Sequence, residues 1–460
     1  MADSKQQASK GNTISCVKEQ LAKMSDLEHQ TLGFHGQKVQ FIYLTSLCDS
    51  KIVNRSLIAP LYEMGDDKEY ELYIASFPGC QQLEAPPQIV AKLLQGCAAL
   101  AFDSGNLYLF DAARVEASGV APAESETIVQ GPSDSFNESL DVSLNLIRRR
   151  YQSASLKSEA RTIGAQSKTK LAVIYDEDRV DHNVLKELMA RLDNINIDIL
   201  QGAAELDRYL ASTKFRLFPT TILTERPDRA VFNLSEGKVI ILVDTTGYAV
   251  IVPVIFNDFF TAMDDKLQVT LVGWFLKGIR YLGLVLTTVL PAIYVAFSSY
   301  NSEVWKIQIA LLVAGSRATV PYPSFVEVIL MLLMMEFLTE ASLRLPKAIG
   351  STATTVGGLI LGTAATEAGL VSNIMIILVS VVAISNFVIP LNMMGFTVRV
   401  IKYALIVVAT LYGLLGIICG CLVLVMYLTS LRSFGKPYFR IFVLDRLKLG
   451  RTSMGEKNNG

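Results

Sequence analysis

The chain has 460 residues, 51% of them apolar, and a mean hydropathy of +0.37, which excludes a wholly soluble protein. Its 42 Lys and Arg against 43 Asp and Glu give a net charge of -1, which excludes a phosphate-neutralising nucleic-acid surface. Its six cysteines (Cys16, Cys48, Cys80, Cys97, Cys419, Cys421) have no paired metal-ligand spacing and read as thiols, four of them ahead of the apolar region.

Residues 1–32 form a polar segment without the basic flank and apolar run of a signal peptide. The expectation is therefore a cytosolic N-terminal region and a membrane region from about Leu271 to Leu431. Within the former, KVQFIYLTSLCDSKIVNRSLIAPL at Lys38 and KLAVIYDEDRVDHNVLKELMARL at Lys170 each read as strand, acidic loop and helix. Each is followed by a hairpin pattern, Leu93 to Ala112 and Leu234 to Val254, with Asp103, Ser104, Gly105 and Asp244, Thr245, Thr246, Gly247 as turns. Gly96 to Gly237 and Asp103 to Asp244 are both 141 residues apart, so the hairpins match without a gap. The reading is two related α/β subdomains, 33–130 and 168–262, joined by a helical linker, 131–167.

The linker places Phe136, Leu140, Leu144 and Ile147 on one face and offers Ser133 or Asp134 as N-cap. Its basic end, Arg148, Arg149 and Arg150, suits the helix dipole or a subunit or lipid-headgroup contact. TERPDR (Thr224 to Arg229) reads as a solvated turn with a surface ion pair.

A helical membrane domain is expected over 263–439, with a basic tail over 440–460. Leu282 to Ser298 reads as its first span and Tyr403 to Leu431 as its last, long enough to tilt or protrude. Between them Ser324 to Arg344 carries Glu327, Glu336, Glu340 and Arg344. Glu336, Glu340 and Arg344 share a face at i, i+4 spacing and suit either an ion-pair ladder or an ion pathway. In Ser351 to Glu367, Gly358 and Gly362 form a GxxxG packing face. Thr352, Val356, Leu359, Thr363 and Thr366 form another stripe, whose hydroxyl and apolar rings would suit a hydrated pore with a hydrophobic gate in a multimer. Basic loop residues give conflicting span counts; four spans with one re-entrant or interfacial piece is the reading adopted.

Chemistry-bearing motifs are missing. His29, His35 and His182 have no HExxH or second ligand, and no GxSxG, Walker A or kinase motif occurs. No catalytic residue, metal site or cofactor is expected.

The linker run GP...F.ESL.....LIRRR (Gly131 to Arg150), TERPDR, VPYPSFVE (Val320 to Glu327), LRLPKAIG (Leu343 to Gly350), AGLVSNIMI (Ala368 to Ile376), NFVIP (Asn386 to Pro390) and TSLRSFGKPY (Thr429 to Tyr438) occur in that order. In these motifs the chain resembles the A subunit of GerA-type spore germinant receptors. The resemblance implies a spore inner-membrane protein that assembles with B and C subunits as a ring, possibly a pentamer, and acts as a ligand-gated cation channel. The chain departs from the family pattern at Ser133 and Asp134, where a charged pair is usual, and at TEASLRLPKAIG, which lacks a second proline. The alternative is a non-conducting scaffold that relays ligand state. A secondary transporter fits less well, because the visible repeat lies outside the membrane region.

Overall fold

The computed structural model describes residues 14–440 except 35–36, 65–66, 79, 84, 103, 114–122, 124–125, 127–130, 212–215 and 301–306. Asp103 and His35 therefore lie outside the described residues, as does the tail beyond 440. The chain forms two units, an α/β unit (through 214, with 221–254 and 434–436) and a helical unit (215–220, 255–433 and onward from 437).

The α/β unit contains the same subdomain twice. A helix over residues 14–21 (α1) leads into β1 (Leu27–Phe34) and β2 (Gln37–Leu44). α2 (Ser50–Val53), a π-turn over Asn54–Ile58 and α3 (Ala59–Glu63) follow, then α4 (Asp67–Ala75), β3 (Gln81–Gln82), α5 (Pro86–Leu93), β4 (Cys97–Ala101) and β5 (Leu107–Asp111). After α6 (Leu140–Arg150), the second copy runs β6 (Leu156–Ile163), β7 (Thr169–Asp176), α7 (His182–Asp193), α8 (Ala203–Leu210), β8 (Ile222–Thr224), α9 (Pro227–Ser235), β9 (Val239–Val243) and β10 (Ala249–Val252). Among the described residues the strand orders are β1-β2-β4-β5-β3 and β6-β7-β9-β10-β8, the same antiparallel topology.

The duplication extends to local chemistry. Asp49 and Asp181 are the N-caps of the helices that follow the equivalent strands β2 and β7, accepting from Lys51 N and Asn183 N. Gly96 and Gly237, just ahead of the equivalent strands β4 and β9, have φ of 97° and 80°. A Cβ at Gly96 would lie 2.9 Å from Ala113 Cα, and one at Gly237 would collide with the Arg179 carbonyl oxygen. Gly237→Ala is accordingly expected to destabilise the unit by about 1–3 kcal/mol, seen as an earlier thermal transition of the full chain. An unchanged transition would show that the turn relaxes. In the second hairpin the positive-φ residue is Thr245 (71°), rather than Gly247.

Burial follows from layers on both sides of each sheet. Ile42, Leu44, Ala99 and Leu109 pack under α1 and α5, while Val39, Phe41, Ala98 and Leu100 face α2 to α4. In the second sheet Leu171, Val173, Ile241 and Val250 pack against α7 and α8, and α6 and α9 cover the other face. A sheet covered on both faces reads as continuous apolar runs, and every residue of β9 is buried.

Three features depart from the sequence reading. The first sheet begins at Leu27, ahead of position 33, and the linker region holds β6 as well as a helix. The linker helix is capped differently from expectation: it begins at Leu140 after Ser139, and Asp134 instead pairs with Arg150. Its first amide, Leu140 N, donates to Asp244 Oδ1 of the β9–β10 turn at 3.2 Å, and Thr245 N donates to Glu138 O at 2.8 Å. A cap supplied from a hundred residues away leaves no local signature.

The helical unit contains α10 (Asp264–Leu267), α11 (Thr270–Ser299), α12 (Ile307–Ser316), α13 (Ser324–Arg344), α14 (Lys347–Glu367), α15 (Asn373–Phe387) and α16 (Asn392–Ser430). By length and composition α11 and α16 are long and apolar enough to cross a membrane. α11 packs against α15 and α16, and α13 against α14. The base of α11 is tethered: Arg280 pairs with Asp265, and Tyr281 donates to Asn257 Oδ1 and stacks on Phe260 with ring centroids 4.9 Å apart.

The last apolar run is a hairpin, contrary to the expected single tilted or protruding span. Gly413 interrupts α16 at φ 58°, ψ −140°. A Cβ on Gly416 would lie 2.5 Å from Val408 O, and one on Gly420 would lie 2.7 Å from Leu405 Cδ2. Leu217 O accepts from Thr397 Oγ1 at 3.0 Å while Leu217 N donates to Tyr427 Oη at 3.2 Å. In a straight helix those two residues would be roughly 45 Å apart. The chain therefore folds back at Gly413, and Gly416 and Gly420 let the legs touch.

Candidate functional site

The pore-stripe residues lie on α14, held through its other side. The Cβ positions of Gly357 and Gly358 would meet Leu338 of α13 at 3.1 and 3.5 Å, and that of Gly362 would meet Ile376 of α15 at 3.9 Å. Absent side chains thus bring α14 close to its neighbours. Thr352, Val356, Leu359 and Thr363 are exposed, Val356 at 49% and Leu359 at 68%, and Thr366 is half-buried. The hydroxyls of Thr363 and Thr366 turn back to Leu359 O and Gly362 O at 3.0 and 3.1 Å. This leaves a mostly apolar face with hydroxyl oxygens between its branched side chains.

The charges expected at membrane depth are arranged differently from an i, i+4 ladder. Glu340 and Arg344 do pair, at 2.6 Å on an exposed face. Glu336 instead receives Lys402 Nζ at 2.9 Å and lies 3.4 Å from Arg399 Nη1, both on the first leg of α16. Glu327 is fully buried; Ser372 N and Oγ both donate to its Oε1 at 2.7 Å, so it caps α15, and Arg317 lies 3.3 Å from its other oxygen. A carboxylate at a helix N-terminus is stabilised by the unpaired amides there. Charges in an apolar segment need shelter, which was legible; the partners of Glu327 and Glu336, ten to sixty-six residues away, were not.

In the α/β unit the linker arginines separate. Arg149 is exposed, and Arg150 pairs with Asp134 at 2.5 Å. Arg148 is 1% exposed; its Nη2 donates to Asp26 Oδ1 at 2.5 Å and to Ser158 Oγ at 3.3 Å, joining α6 to both sheets. Asn145 Nδ2 adds a bond to Ser46 O at 2.6 Å. Lys157, whose amine donates to Gln20 O at 2.7 Å, has its pKa lowered by burial.

TERPDR is buried, which overturns the solvated-turn reading. Arg226 is 2% exposed: it forks onto Asp228 and donates to Glu126 O and Pro132 O, at 3.2 and 2.9 Å. Arg229 pairs with Glu126 at 2.8 Å, and Phe136 N donates to Glu225 O at 2.7 Å. The motif fastens the chain leading into α6 onto α9: Arg226 pairs with Asp228 inside it, and Arg229 pairs outside it with Glu126. Pro227 at the start of α9 was the available signal, since proline suits a first helical turn.

Among the described residues no group of His, Cys, Asp and Glu could hold a metal ion. All six cysteines are free thiols, and burial pushes that of Cys48 up to about 12.

The model of the Bacillus/Clostridium GerA spore germination protein family matches residues 15–454. Spore germination protein B1 of Bacillus subtilis (strain 168) is 33% identical over 436 residues, covering 93% of this chain and 90% of that protein. Spore germination protein GerLA of Bacillus cereus is 33% identical over 353 residues, covering 76% and 72%. The crystal structure of the N-terminal domain of the A subunit of the Bacillus megaterium spore germinant receptor GerK3 aligns over 53% of this chain and 94% of that one, at 23% identity and a TM-score of 0.40. With the match running through both the duplicated α/β unit and the helical unit, the chain belongs to the GerA spore germination protein family.

Proposed function

We propose that this chain is the A subunit of a spore germinant receptor, whose helical unit assembles in several copies in the spore inner membrane and opens a path for monovalent cations when germinant binds the receptor. The exposed Thr352, Val356, Leu359 and Thr363 face of α14 is the observation that carries this reading. An apolar face of that size must be covered by lipid or by other copies, and its hydroxyl rings suit a hydrated lumen with Val356 and Leu359 as the constriction. The complex would include B and C subunits, the α/β unit would face the spore core or cytoplasm, and Glu336, Glu340 and Arg344 would lie at membrane depth.

The test is conductance of the full chain with its B and C subunits in bilayers under a monovalent cation gradient. Val356→Ala removes two methyl groups from each copy's share of the gate, a loss of about 1.6 kcal/mol in closed-state burial. It should raise current without germinant at least tenfold. A folded, oligomeric sample that carries no current in any form would replace the channel with a non-conducting scaffold.

A further inference from the structure

Lys402 and Arg399 share a single carboxylate, that of Glu336. Glu340, one turn further on α13, is taken by Arg344. One positive charge is therefore left over. It sits in a largely apolar surround, since the cavity at this point, about 30 Å³, is lined by Leu332, Val379, Val382 and Phe387, with Thr339 and Asn386 as neutral polar groups beside the charged ones. The Lys402 side chain is 5% exposed and that of Arg399 19%. A buried excess charge is costly unless an opposite charge reaches it.

The two cations are not equivalent. Lys402 is hydrogen-bonded to Glu336. Arg399 makes only the 3.4 Å ionic contact and lies over the Phe396 ring at 5.3 Å, with no hydrogen bond among the described residues. A guanidinium with its fork unspent is suited to a phosphate, which it holds through two parallel bonds. The cavity has room for about one water, so a phosphate would rest at its mouth, on Arg399. Beside that mouth Phe387, Phe396 and Val400 are exposed at 65%, 49% and 59%, an apolar flank for acyl chains.

We propose that Arg399, backed by Lys402, holds the phosphate of an anionic phospholipid where α13, α15 and α16 meet, and that Glu336 limits its affinity by repulsion. The inference rests on the helical unit lying in a bilayer and is independent of conduction.

The test uses the full chain in nanodiscs of mixed phosphatidylglycerol and phosphatidylcholine, extracted into mild detergent and weighed intact to count retained lipid. The wild type should retain phosphatidylglycerol over phosphatidylcholine. Arg399→Gln should lower that retention about five-fold, the effect of one basic residue at a lipid surface, and Arg399→Lys, which keeps the charge but loses the fork, should recover only part of it. Glu336→Gln should raise it, a gain that a merely structural role for the carboxylate would not produce. Equal retention of both lipids, or variants indistinguishable from wild type, would overturn the site. Displacement of the lipid by excess inorganic phosphate would show a phosphate site and overturn the lipid. Retention of neither lipid would overturn it together with the membrane placement.

Discussion

Arg148→Ala is expected to loosen the α/β unit more than any other single change to a side chain there. The substitution leaves the Asp26 carboxylate buried with only hydroxyl partners, Ser46 and Ser158, and stranding one member of a buried ion pair costs about 3–5 kcal/mol. Hydrogen exchange is the appropriate reading, because a chain of two units has no single unfolding free energy. Amides of β6 and of the segment leading into β1, which meet where Ser25 N donates to Ser158 O at 2.9 Å, should lose protection by roughly two to four orders of magnitude. Combining Arg148→Met with Asp26→Asn should recover much of the loss, since no uncompensated charge remains. Unchanged exchange in Arg148→Ala would mean that the subdomains are held together without this pair.

The hairpin in α16 gives the second large effect. Spin labels replacing the exposed Phe396 and Met426 would be roughly 45 Å apart on a straight helix; folded back at Gly413, they should be separated by well under half of that. Gly413→Ala places a Cβ on a backbone at φ 58°, ψ −140°, a region that costs a residue other than glycine about 1–3 kcal/mol. The distance distribution should broaden toward the long value. Gly416→Val, with its Cβ against Val408 O, should act in the same direction. A wild-type distribution already centred near 45 Å would rule the hairpin out. The two legs, roughly 30 and 25 Å long, return the end of α16 to the level of its start, beside Arg399 and Lys402.

Placement of the stripe on α14 was legible because a helical period of 3.6 assigns residues to faces without reference to anything else. So was the repeated subdomain, from Gly96 and Gly237 and from the paired strand and acidic-loop segments. The buried role of TERPDR was not, because Glu126, Pro132 and Phe136 lie about a hundred residues upstream of the groups they meet. Nor was the partner of Glu336: Glu340 and Arg344 satisfy the local spacing rule, yet Lys402 reaches Glu336 from sixty-six residues away. The hairpin left a trace in the spacing of Gly413, Gly416 and Gly420, but hydropathy alone registers only the length of that run.

By itself, then, the amino-acid order determined the division into an α/β and a helical region and the duplication within the first. Those properties depend on periodicity, turn residues and composition over windows of a few to twenty residues. Tertiary structure alone decided which charges meet, which amide caps α6, and where the last apolar run reverses. Each of these is settled by the cost of leaving a buried polar group or charge without a partner, and the partner that removes the cost can lie anywhere in the chain.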